Sequence, residues 1–167
     1  MNIAALRGLF AATVIGATAY VFVTSGQLPD PVASKFATGG HAIAHMSRAA
    51  HQWLMTALTL AIPLILYAAQ ALLPRRFARL TSIPRRDYWL ATPERAENTF
   101  NWLERHALIW GIAPPLFFAG MQWMIVGANA RVPAQLDNFW FLLATGAFVI
   151  CVISAAVTLS LHFRRTA

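Results

Sequence analysis

Four stretches of predominantly apolar residues, at about 3–24, 52–73, 107–128 and 138–161, constrain this chain more than any other feature. A run of about 20 apolar residues crosses the hydrocarbon core of a bilayer as a helix, whereas a helix at a water-facing surface needs a polar side. Only 11% of the 167 residues are charged, against the roughly 25% usual in soluble domains. Too little polar surface remains to cover a water-soluble fold. The expected fold class is therefore all-α: an integral membrane four-helix bundle forming one polytopic domain over residues 1–167.

Ala17-Thr18-Ala19 has the look of a signal-peptide cleavage site. The apolar run nevertheless continues through Tyr20-Val21-Phe22-Val23, so the first stretch is read as an uncleaved span. Pro63 is expected to kink the second span, and Gly111 with Pro114-Pro115 to bend the third. Thr92-Pro93-Glu94 carries the signals of a helix start, with Thr92 as N-cap and Pro93 at the first helical position.

Residues 25–51 read as an ordered loop between the first two spans. Pro29 and Pro31 restrict the backbone around Asp30, and Gly39-Gly40 allow a sharp reversal, so the loop is expected to fold back as a shaped lid. Asp30 is its one acidic residue, and a local ion pair with Lys35 or Arg48 is the economical expectation. Residues 74–106 read as a basic interfacial segment with seven arginines, among which Phe77, Leu80, Tyr88, Trp89 and Leu90 are interleaved.

The net charge of +7 points to orientation rather than to nucleic acid. Arg7, the seven arginines of the central segment, Arg164 and Arg165 fall on one side, and Lys35, Arg48 and Arg131 on the other. By the positive-inside rule both termini and the central segment face the cytoplasm, and the Pro/Gly loop faces out. Trp53, Tyr67, Trp102, Trp110, Trp123 and Trp140 include several residues near span ends, where an aromatic belt suits the headgroup layer.

Chemistry-bearing motifs are sparse. The single cysteine, Cys151, lies within an apolar run, so there is no intramolecular disulfide. His41, His45 and His51 with Met46 form the best metal-ligand grouping, but no carboxylate or cysteine completes it, and no metal is expected. His106 and His162 fall near the same ends of the third and fourth spans, where interfacial histidines are ordinary, and no haem or other cofactor is expected. The four spans contain no Asp or Glu, which argues against an ion or proton pathway; Gln70 and Gln122 serve packing. Arg7 is expected to snorkel to the surface. No nucleophile elbow, zinc-protease motif or P-loop appears, so the chain is read as not an enzyme.

Leu28-Pro29-Asp30-Pro31-Val32-Ala33-Ser34-Lys35-Phe36, followed by Gly39-Gly40 and Met46-Ser47-Arg48, resembles the N-terminal pattern of a bacterial membrane-protein family. That family is known as domain of unknown function 1648 and includes the N-terminal part of Sdp-type immunity proteins. Ile83-Pro84-Arg85-Arg86-Asp87-Tyr88-Trp89-Leu90-Ala91-Thr92-Pro93-Glu94-Arg95 resembles a second segment found with the first in small proteins of the group. Lys35 stands at the usual histidine position of the pattern. The resemblance implies a multi-pass protein of the bacterial inner membrane with a sensor- or immunity-like role.

Two contact surfaces follow as expectations. Pro29, Asp30, Pro31, Lys35, Phe36 and Arg48 would meet a peptide ligand or an integral membrane protein partner outside the cell. Arg85, Arg86, Asp87, Tyr88 and Trp89 would form a cytoplasmic interfacial contact with lipid headgroups or protein. The alternative function is an accessory or structural subunit of a larger membrane complex.

Overall fold

The computed structural model describes residues 2–78 and 83–164. Arg79, Leu80 and Arg165, counted above in the basic and aromatic patterns, lie outside the described residues. The chain is mostly helical, and four of its helical segments are long and apolar enough to cross a membrane.

In order, the elements are α1 (Ile3–Gly26), β1 (Val32–Phe36), β2 (Ala42–Met46), α2 (Arg48–Tyr67), α3 (Leu73–Arg76), α4 (Arg86–Trp89), α5 (Pro93–Trp110), α6 (Ala113–Asn129) and α7 (Asn138–Arg164). A π-helical segment, Ala68–Leu72, joins α2 to α3. The helix starts follow from polar caps. Asn2 Oδ1 accepts from Ala4 N–H, Ser47 Oγ from Ala50 N–H, Thr92 Oγ1 from Arg95 N–H, and Asp137 Oδ1 from Phe139 N–H. The start read at Thr92-Pro93 is thus the start of α5.

α1, α2 and α6 pack on one another, and α7 lies against α6 and α5. α1 buries Leu6, Phe10, Val14, Ala17, Val21 and Ser25, a single stripe at three- and four-residue spacing. At one end this stripe joins Leu28, Val32, Met55 and Ile125; at the other, Leu6, Phe10 and Val14 pack with Leu108. α7 contributes little buried surface, and Leu142, Ile150 and Ile153 stay exposed along it.

Pro63 sits buried inside α2 without ending it. The irregularity comes later and has a clear cause. Pro74 lacks an N–H and its ring would collide with the carbonyl of residue 70 in a regular helix. The chain widens instead into the π segment, in which Leu73 N–H reaches Ala68 O five residues back. The bend read at Gly111 is a break between α5 and α6. A Cβ there would lie 2.5 Å from Ala107 O and 2.9 Å from the Phe10 ring, so only glycine admits this approach of α1.

The segment read as a loop at 25–51 is an antiparallel hairpin, with Val32 opposite Met46, Ala33 opposite His45 and Phe36 opposite Ala42. The all-α expectation is corrected to this extent by a two-stranded sheet. Likewise α5 and α4 occupy much of the segment read as basic and interfacial at 74–106. Contacts of Arg7 and Arg75 with Glu104, and of Trp89 with Phe163, gather the chain's first helix, its arginine-rich middle and the end of α7 at one end of the molecule. The hairpin occupies the opposite end.

Candidate functional site

The hairpin is fixed to the helices at three places. At its base, Asp30 Oδ1 accepts the backbone N–H of Arg48 at 3.2 Å, and the Arg48 guanidinium donates to Leu28 O at 3.3 Å. Midway, the Asn129 side chain at the end of α6 accepts from Ala33 N–H at 2.8 Å and donates to Ala33 O at 3.1 Å. At the tip, Leu136 N–H donates to Gly40 O at 2.7 Å, Ala42 N–H to Ala134 O at 3.3 Å, and the Asn138 amide to Thr38 O. Val32 and Ala33 are buried beneath. These attachments hold the hairpin over the start of α2, the end of α6 and the start of α7.

Between this cap and the helices lies a groove of about 420 Å³, lined by Lys35, Phe36, Met121, Leu136, Phe141 and Leu142 among others. Its walls are mainly apolar, and Lys35 supplies a cation at the rim. Phe36 packs partly against the cluster of Met124, Ala128 and Leu136. Of the six residues expected on this face, Lys35 and Phe36 come together in the groove. Pro29, Asp30, Pro31 and Arg48 are exposed at the hairpin base instead. The expected ion pair of Asp30 with Lys35 or Arg48 is corrected: among the described residues Asp30 forms none and receives a main-chain amide. A carboxylate serves well there, because the first N–H groups of a helix lack partners and carry its positive dipole end.

The other expected contact is only partly a free surface. Arg85 has a left-handed backbone with φ of 55° just before α4. Arg86 lies 3.8 Å from the exposed carboxylate of Asp87, and the Arg95 guanidinium sits 4.6 Å above the Tyr88 ring. Trp89 is a packing residue. Its indole N–H donates to Phe163 O at 3.4 Å and its ring stacks on His162. Of the tryptophans, Trp53, Trp123 and Trp140 are exposed, whereas Trp102 stacks face to face on His162 at 3.7 Å.

The histidines are dispersed. His51 is buried and its Nε2 lies 3.0 Å from Gln122 Oε1, while His41 and His45 are exposed on the hairpin. No group of three or more His, Cys, Asp or Glu side chains suited to a metal occurs among the described residues. His106, read as an ordinary interfacial residue, is buried.

Sequence reasoning missed Glu104. This carboxylate is buried in α5, 2.6 Å from the Arg7 guanidinium and 3.5 Å from that of Arg75, and it accepts from the Tyr67 hydroxyl at 3.1 Å. Arg7 is therefore paired as well as surface-reaching. Glu104 lies in the helical run Pro93–Asn129, three residues before the span read at 107–128. Leu103, Ala107 and Leu108, all buried, flank it at helical spacing, and that pattern was the available signal.

No family model, curated protein or solved structure matches this chain.

Proposed function

We propose that the chain is a small, non-enzymatic multi-pass protein of the bacterial cytoplasmic membrane, with its termini inside and its hairpin outside. The hairpin groove receives an extracytoplasmic peptide or a segment of another membrane protein, in the immunity- or sensor-like manner implied by the resemblance of the Leu28–Phe36 pattern. The observation that carries this reading is the groove of about 420 Å³ held open beneath a hairpin anchored on three sides, with Lys35 and Phe36 in its wall. A surface ordered before binding loses less entropy when a ligand arrives. The orientation is supported by charge: Arg7, Arg75, Arg105 and Arg164 belong to the end opposite the hairpin, and Lys35, Arg48 and Arg131 to the hairpin end.

A photo-crosslinking residue at Phe36 in the full chain tests this in living cells. A discrete adduct that disappears with Lys35→Glu supports the reading. No adduct at Phe36, with adducts at Ile150 instead, would move the function to the second reading. That alternative, an accessory subunit of a larger membrane complex, is favoured by α7, whose Leu142 and Ile150 are each 66% exposed. Such a face suits another helix as well as lipid.

A further inference from the structure

A cavity of about 280 Å³ at the α6–α7 connection shares no lining residue with the hairpin groove. Trp123, Val126 and Gly127 of α6 form one side of it, and Arg131 and Asp137 of the connector with Trp140 of α7 form the other. Gly127 keeps it open, because nothing lies within 4 Å of the place a Cβ would take there. Both tryptophans are exposed, and among the described residues their one ring contact is that of Trp140 with Phe139. The cavity therefore runs from an apolar helix end into a polar connector.

The two charges in this cavity are opposite in sign, yet among the described residues neither forms an ion pair, with the other or elsewhere. Each is held in place from one side. Arg131 Nη1 donates to Gln135 O at 3.3 Å, and Asp137 Oδ1 accepts the N–H groups of Phe139 and Trp140 at 3.0 and 3.4 Å. The N–H groups of Arg131 and Gln135 both donate to Ala128 O at 3.3 Å, which fastens the connector over the end of α6. Asp137 Oδ2 and the other guanidinium donors of Arg131 take no partner among the described residues, so one cavity offers a free acceptor of negative charge and free donors of positive charge.

We propose that this cavity binds the headgroup of a zwitterionic phospholipid with a primary ammonium, as in phosphatidylethanolamine. The phosphate meets Arg131, whose planar donors suit phosphate oxygens, and the ammonium meets Asp137 beside the two indoles. A primary ammonium carries the N–H groups that Asp137 Oδ2 can accept, whereas a quaternary one has none. Exposed tryptophans at a helix end suit headgroup depth, and the acyl chains continue along Trp123 and Val126 of α6. The site rests on the long apolar helices crossing a bilayer and not on the hairpin groove.

Native mass spectrometry of the full chain, released from detergent micelles with added phosphatidylethanolamine or with phosphatidylcholine of the same chains, tests this. Phosphatidylethanolamine should bind at a concentration about tenfold lower, as one hydrogen bond to a charged group predicts. Asp137→Asn keeps a side-chain oxygen to cap α7 and should erase the difference, and Arg131→Gln should weaken both lipids. Trp53→Leu removes an exposed tryptophan elsewhere and should change neither. Soluble phosphoethanolamine lacks the chains, and binding as tight as that of the lipid would overturn the assignment to lipid. Equal binding of the two lipids by the wild-type chain, whether or not the variants fold, or a preference that survives Asp137→Asn, would overturn the site.

Discussion

Arg7 and Glu104, separated by 97 positions in sequence, meet with 2.6 Å between guanidinium and carboxylate, and Tyr67 and Arg75 complete the same carboxylate's surroundings. Three helical segments thus converge on one buried acid. Tyr67→Phe should lower stability by about 0.5–1.5 kcal/mol, the range for one hydrogen bond. Glu104→Ala should cost more, because it deprives two arginines and the tyrosine of their common acceptor. Thermal unfolding in nanodiscs gives the ranking; equal midpoints for both variants would contradict it.

Asp30 and Arg48 provide a second test, since the hydrogen bond runs to the backbone of Arg48. Asp30→Ala should destabilise the start of α2 by about 0.5–2 kcal/mol, as loss of an N-terminal cap does. Asp30→Asn should retain most of that stability. Arg48→Ala keeps the main-chain N–H and should be milder than Asp30→Ala, whereas a side-chain ion pair would make the two variants alike. Hydrogen exchange at the Arg48 amide reads the difference directly.

Gly39 and Gly40 are adjacent but unequal. Gly40 has φ of +80°, and a Cβ there would fall 2.3 Å from Leu136 O. Left-handed backbone alone costs a non-glycine residue about 1–2 kcal/mol, and the clash with a main-chain oxygen adds to it. Gly40→Ala should detach the hairpin tip and open it to limited proteolysis. Gly39→Ala meets only the His41 ring, at 3.3 Å, and should leave the digestion pattern unchanged.

Gly111→Ala should separate α1 from the α5–α6 junction, because the added carbon meets both Ala107 O and the Phe10 ring. Phe10→Leu removes the ring but not the carbonyl, so it should restore only part of the lost thermal stability. Gly120, with open space around its Cβ position, supplies the control: Gly120→Ala should be neutral or slightly stabilising.

The long apolar helices were legible because hydropathy over twenty residues is a local property, and so were the Thr92 cap and the break at Gly111. The hairpin was not. Val32–Phe36 and Ala42–Met46 are each five residues long, and their partners at Asn129 and Ala134–Leu136 lie about a hundred positions away. Glu104 was overlooked for a related reason: its burial depends on Arg7, Tyr67 and Arg75, which reach it from other helices. Of the hairpin residues singled out from sequence, Lys35 and Phe36 reached the groove, while the prolines and Asp30 shape its base. Gln70 and His106, whose side chains lie 3.1 Å apart, gained a relation only when the π segment met α5.

Ala33 offers both its N–H and its carbonyl on the side of β1 away from β2, and the Asn129 amide takes both. An uncovered strand margin is where foreign backbone attaches and where chains clump. Here one side chain imitates the missing neighbour. Strand addition at this position is blocked by a residue from the far end of α6.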